Sequence, residues 1–91
     1  MSAVPAVLAR LADIIGRIAG PSRTPPSLGA ATRLSTDLWL DSVEMLEVVL
    51  ACEREFGIAF EESTDLTPQA LETLGSLSDV VQARLEATKR L

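Results

Sequence analysis

The chain has 91 residues, which suits one domain with a single core. It is 47% hydrophobic but only 3% aromatic, with no His and one Cys. That excludes His-based acid–base chemistry, a His/Cys metal cluster and an internal disulfide, and a lone cysteine suits a reducing, cytoplasmic setting. The net charge of −5 is uneven: residues 1–40 set four Arg against Asp13 and Asp37 for +2, residues 41–65 set eight acids against Arg54 for −7, and residues 66–91 balance. An acidic surface of this kind fits a basic protein patch, not nucleic acid or an anionic membrane.

In chain order, Val4, Val7, Leu8, Leu11, Ile14, Ile15 and Ile18 recur at helical spacing and predict a first helix over residues 4–19. Pro5 suits its first turn, and Gly20 followed by Pro21 closes it. Arg10, Asp13 and Arg17 face outward, and with no basic leader the segment reads as an amphipathic helix, not as a signal peptide or membrane span. Residues 21–40 hold Pro21, Pro25, Pro26 and Gly29, which predict a long irregular connection. Leu28, Leu34, Leu38 and Leu40 predict that it is pinned across the helices.

The second helix, residues 41–56, reads DSVEMLEVVLACEREF. Asp41 is a good N-cap and Glu44 completes a capping-box pair. At 100° per residue, Met45, Val48, Val49, Cys52 and Phe56 share one face, and Val43, Leu46 and Leu50 lie roughly opposite. One apolar stripe suffices to build a core. A second stripe, rimmed by Glu44, Glu47 and Glu53, predicts a docking surface. Cys52 is expected as a buried small hydrophobe.

Gly57 ends that helix, and residues 60–65 form a turn region with room for one helical turn. Thr67 and Pro68 predict an N-cap and first turn for a short helix carrying Leu71 and Leu74, stopped by Gly75. Ser76 with Asp79 is expected to cap a last helix that turns Leu77, Val80, Val81 and Leu85 to the core. No stretch alternates with period two, so no sheet is expected. The prediction is an all-α fold in one domain over residues 1–91: three main helices, one short helix and a long first loop.

The run from Asp37 through Leu40, Asp41, Ser42 and Val43 into Glu53, Phe56, Gly57 and Ile58 resembles the phosphopantetheine attachment region of acyl carrier proteins and their peptidyl carrier relatives. The likeness covers the chain in element order and residues 34–60 in detail. It implies a small four-helix bundle of acyl-carrier type that is not itself an enzyme. It implies that Ser42 bears 4′-phosphopantetheine, with Asp41 beside it capping the helix. The arm's thiol would hold acyl or aminoacyl cargo as a thioester and shuttle it between enzymes. Val43, Glu44, Leu46, Glu47, Leu50 and Glu53 would then meet partners: a phosphopantetheinyl transferase, a loading ligase, adenylating enzyme or acyltransferase, and a downstream synthase or thioesterase. A free-standing monomer in a dedicated secondary-metabolite or modified-lipid pathway is the expected setting. The other reading is a degenerate carrier or helical interaction module with no arm.

One position departs from the family pattern. Where a small residue, usually Gly, stands two positions before the Asp, this chain has Trp39, its only tryptophan. Its available tasks are to cover the top of the bundle, to contact the arm, to face a partner, or to anchor the loop in the core.

Overall fold

The computed structural model describes residues 5–25 and 27–89, so the expected helix start at Val4 lies outside the described residues. Four helices follow in order: α1 (Pro5–Ala19), α2 (Ser42–Phe56), α3 (Glu62–Asp65) and α4 (Leu74–Lys89). Among the described residues the only β-type pairing is an isolated bridge between Arg33 and Thr73.

The core forms where α1, α2 and α4 meet. From α1 come Val7, Leu11, Ile14 and Ile15 of the stripe read from the sequence, joined by Ala19, while Leu8 and Ile18 are half-buried against the core. From α2 come Val48, Val49, Ala51 and Cys52. Met45 and Phe56, expected on the same face, are half-buried and pack against this core. Arg10 ties α1 to α2 by lying 4.5 Å from the Phe56 ring centroid and donating to the Glu55 carbonyl at 2.9 Å. The long connection is pinned as its leucines predict: Leu34, Leu38 and Leu40 are buried, and Leu28 packs against the core.

Helix α2 begins and ends on local signals. The Asp41 side chain accepts the Glu44 N–H while the Glu44 side chain accepts the Asp41 N–H, a complete capping box. Gly57 adopts the left-handed conformation at φ 65°, and the Ile58 N–H reaches back to the Glu53 carbonyl at 3.1 Å.

The second half departs from expectation in detail. The short helix is Glu62–Asp65, not a segment after Thr67. Asp65 anchors it, accepting from the Glu61 N–H and pairing with Arg84 Nε of α4 at 2.7 Å. Thr67 does accept, from the Ala70 N–H at 3.2 Å, but only turns follow, and Ala70 is the buried residue there.

Gly75 is not a stop; it lies inside the first turn of α4. The cap is Thr73, whose Oγ1 accepts the Ser76 N–H while Ser76 Oγ accepts the Thr73 N–H, both at 3.0 Å, so Ser76 closes a box with Thr73 and not with Asp79. The Leu74 and Gly75 N–H groups donate to the carbonyls of Thr32 and Ala30 at 2.9 and 2.8 Å. A Cβ on Gly75 would stand 2.8 Å from that Ala30 oxygen and 2.9 Å from the Ala30 Cβ. Glycine is therefore there for close approach of the loop, not for termination.

Leu74, Leu77, Ser78 and Val81 are the buried face of α4. Val80, expected among them, is half-buried and outside the core. The stripe runs through positions 74, 77, 78 and 81, which turns residue 80 aside and puts the Ser78 hydroxyl in the interior.

Candidate functional site

Ser42 is the first residue of α2 and is exposed. Asp41 at the cap turns the chain into the helix, and the first helical main-chain bond runs from the Met45 N–H to the Asp41 carbonyl at 2.8 Å. The N–H groups of Ser42 and Val43 precede that bond. They sit at the positive end of a fifteen-residue helix, a setting that favours an anionic group. Among the described residues the other serines differ in setting. Ser78 is buried, Ser76 spends its hydroxyl on Ala70 and Thr73, and Ser63 lies in the four-residue α3. Ser22, Ser27 and Ser35 are exposed in the connection, away from any helix start.

The chain gives Ser42 no base of its own. It has no His, and the Asp41 carboxylate already accepts the Glu44 N–H at 2.8 Å. Nothing described beside Ser42 would activate its hydroxyl in place.

Arg23, in the long connection, is the residue that the sequence reading missed. Its guanidinium donates to the Ala19 carbonyl at 3.0 Å, the Trp39 carbonyl at 3.1 Å and Glu44 Oε1 at 2.9 Å, and it also bonds Glu44 Oε2. One side chain thus joins the end of α1, the segment before Ser42 and the cap of α2. The Arg23 guanidinium first, and the Asp41 N–H after it, hold the Glu44 carboxyl at about 2, below its ordinary 4.5. Only its basic charge could have marked Arg23 in the sequence, because its partners are distributed over three segments.

The outer stripe of α2 is where the helical phase places it. Val43 is 68% exposed, Leu46 56% and Leu50 50%. Glu47 is exposed between them. Glu44 and Glu53 rim the stripe but are half-buried and bonded internally, Glu44 to Arg23 and Glu53 to the Phe60 N–H at 2.9 Å. Leu50 and Glu47 also edge a groove of about 430 Å³ between α1 and α2, with Ile14, Ile18 and Ala51 along it. On the opposite face the Cys52 thiol is pushed up to about 12, mainly by burial and further by the Glu53 charge, so it stays protonated and inert.

Trp39 is 73% exposed, which removes the core-anchor alternative. Its backbone is left-handed at φ 57°. For a bulky residue that conformation costs about 1–2 kcal/mol, and it is one that glycine adopts freely. The glycine that the resemblance leads one to expect here would adopt this backbone without that cost, and this chain has tryptophan in its place.

The family model of the phosphopantetheine attachment site matches residues 6–83. The chain belongs to that family. Its members carry 4′-phosphopantetheine covalently on a serine and act as carriers, not catalysts, alongside phosphopantetheinyl transferases and synthases. Neither a curated protein nor a solved structure matches the chain. The residues present fit the group: an exposed hydroxyl at a helix start, main-chain N–H groups beside it for the phosphate, and no side chain over it to block access. Among the described residues no helix is long and apolar enough to cross a membrane, and no cluster of metal-ligating side chains occurs.

Proposed function

We propose that Ser42 is the attachment serine and that this carrier shuttles acyl or aminoacyl cargo between the enzymes of a dedicated biosynthetic pathway. The observation that carries the assignment is the exposed Ser42 hydroxyl on the first turn of α2, inside a complete Asp41–Glu44 capping box. On loading, Ser42 Oγ would form the phosphodiester bond to the phosphopantetheine phosphate of coenzyme A as the pyrophosphate bond breaks and 3′,5′-adenosine diphosphate leaves, with the hydroxyl proton passing to the transferase. Asp41 and Glu44 hold the helix start rigid, and the Ser42 and Val43 N–H groups receive the phosphate. When bound, the arm supplies a thiol that carries the cargo.

Partners dock along the outer stripe of α2. Val43, Leu46 and Leu50 supply apolar area and Glu47 supplies free negative charge, while Glu44 and Glu53, committed to internal bonds, add field without mobility. The stripe is narrow, which suits contacts weak enough for a shuttle to release each partner. Trp39 and the Pro- and Arg-containing connection support the dedicated pathway, and the single cysteine, which has no second cysteine to pair with, suits a cytoplasmic setting.

Incubation with coenzyme A and a broad-specificity phosphopantetheinyl transferase tests the assignment by intact mass. The wild-type chain gains one phosphopantetheine; Ser42→Ala gains none and keeps its helical circular dichroism. Modification of Ser42→Ala would put the arm on another residue and overturn the Ser42 assignment, whereas an unmodified wild type beside a modified control carrier favours the reading of a helical interaction module with no arm.

A further inference from the structure

We infer that Trp39, with Val43, forms a shelf on the protein's own surface that binds the pantetheine arm. The inference rests on Ser42 bearing that arm.

Two features of Trp39 return nothing to the fold. The only indole of the chain stands 73% exposed, and its backbone is held at φ 57°. A strained conformation persists where its surroundings impose it, and here Arg23 clamps the Trp39 carbonyl at 3.1 Å while Leu38 and Leu40 on either side are buried. Leu38 and Leu40 are buried while Trp39 and Asp41 are exposed, so the indole stands in solvent on the segment that leads into Ser42. Three residues of chain span at most about 10 Å, so Trp39 lies within reach of a chain rooted on Ser42 Oγ. Val43, next after Ser42, is 68% exposed. Exposed apolar surface thus brackets the attachment oxygen on both sides along the chain.

The chemistry of the arm matches that surface. Pantetheine carries geminal methyl groups and two planar amides. An indole offers a broad apolar face to the first and an N–H donor to the carbonyls of the second. Tethering removes the need for affinity: a ligand on a short flexible link meets its site at an effective concentration in the millimolar range, so a weak contact is populated. The shelf would hold the arm along the start of α2 between partners and keep its thiol from ranging freely.

The single tryptophan makes the test direct. The apo chain is converted with coenzyme A and a broad-specificity transferase, and completion is read by mass. The inference expects a blue shift of the indole emission and a loss of acrylamide quenching on conversion. It also expects upfield ring-current shifts of the geminal methyl protons by NMR. Trp39→Gly should still be modified, with those methyl shifts lost. Ser42→Ala, taken through the same incubation, should show the apo emission unchanged. Complete conversion with unchanged emission, quenching and methyl shifts overturns the inference and leaves Ser42 as the attachment site, with the indole waiting in water for a partner enzyme. Absence of any mass gain, beside a modified control carrier, overturns the Ser42 assignment and this inference together.

Discussion

Glu44 closes the cap of α2 and receives Arg23 with the same carboxylate, and the pH dependence of stability follows. Its folded value of about 2 lies below the ordinary 4.5, so the folded state holds the charged form more tightly than the unfolded chain does. The stabilisation is complete above about pH 4.5 and is lost as pH falls from there toward 2. Glu44→Gln should lower stability near neutral pH and flatten the decline over that acid range, as read from urea midpoints; an unchanged acid slope would show that Arg23 does not hold the carboxylate in solution. The capping pair of Asp41 and Glu44 was legible in the sequence because its partners are three residues apart. Arg23 was not, since it reaches Glu44 and the Trp39 carbonyl across a loop. For Trp39 the sequence showed an odd residue but not its backbone: nothing in a list of side chains says that φ is positive there.

Helix α2 separates stability from recognition by phase. Val48 is fully buried, and Val48→Ala should cost roughly 1–3 kcal/mol through lost transfer energy and a cavity. Leu46→Ala and Leu50→Ala, on residues half or more exposed, should stay within about 0.5 kcal/mol yet slow loading by partner enzymes. Denaturant titration beside loading kinetics checks both, and the reverse ranking would mean the stripes are exchanged. Helix α4 gives the contrary lesson. Ala has a better helix propensity than Gly by about 1 kcal/mol, so Gly75→Ala would ordinarily stabilise. Here the added Cβ meets Ala30 backbone at 2.8 Å, and the substitution should instead destabilise by about 1–3 kcal/mol, measured by thermal or urea unfolding. A local reading takes glycine after leucine for a helix end; the Ala30 carbonyl that requires it comes from another segment. The turn after Thr67 was misread for a related reason. Its signals are genuine for one turn, but the helix in that region is the one that Asp65 and Arg84 tie to α4.

Across the whole molecule, the first 40 residues carry +2 and the next 25 carry −7, so the α2 side presents a negative field to anything approaching Ser42. Association with a basic partner should fall as salt rises, because exposed charges are screened beyond about 10 Å at 0.1 M. Glu47 is the exposed acid at the middle of the stripe. Glu47→Lys should lower the association rate with the transferase several-fold at low salt, flatten the salt dependence and leave the unfolding midpoint nearly unchanged; equal rates across salt for both forms would place docking elsewhere. The all-helical layout and the core stripe of α1 were legible because both follow from local periodicity. The way the long connection meets α4 was not, and it bears on how the chain reaches its fold. The first turn of α4 gives its Leu74 and Gly75 N–H groups to carbonyls about half the chain away, at Thr32 and Ala30. That turn has those acceptors only after the connection has laid itself across the bundle. Those two bonds therefore carry the entropic cost of closing a large loop, which the bonds inside each helix do not. Amide hydrogens at Leu74 and Gly75 would then report each lifting of the connection.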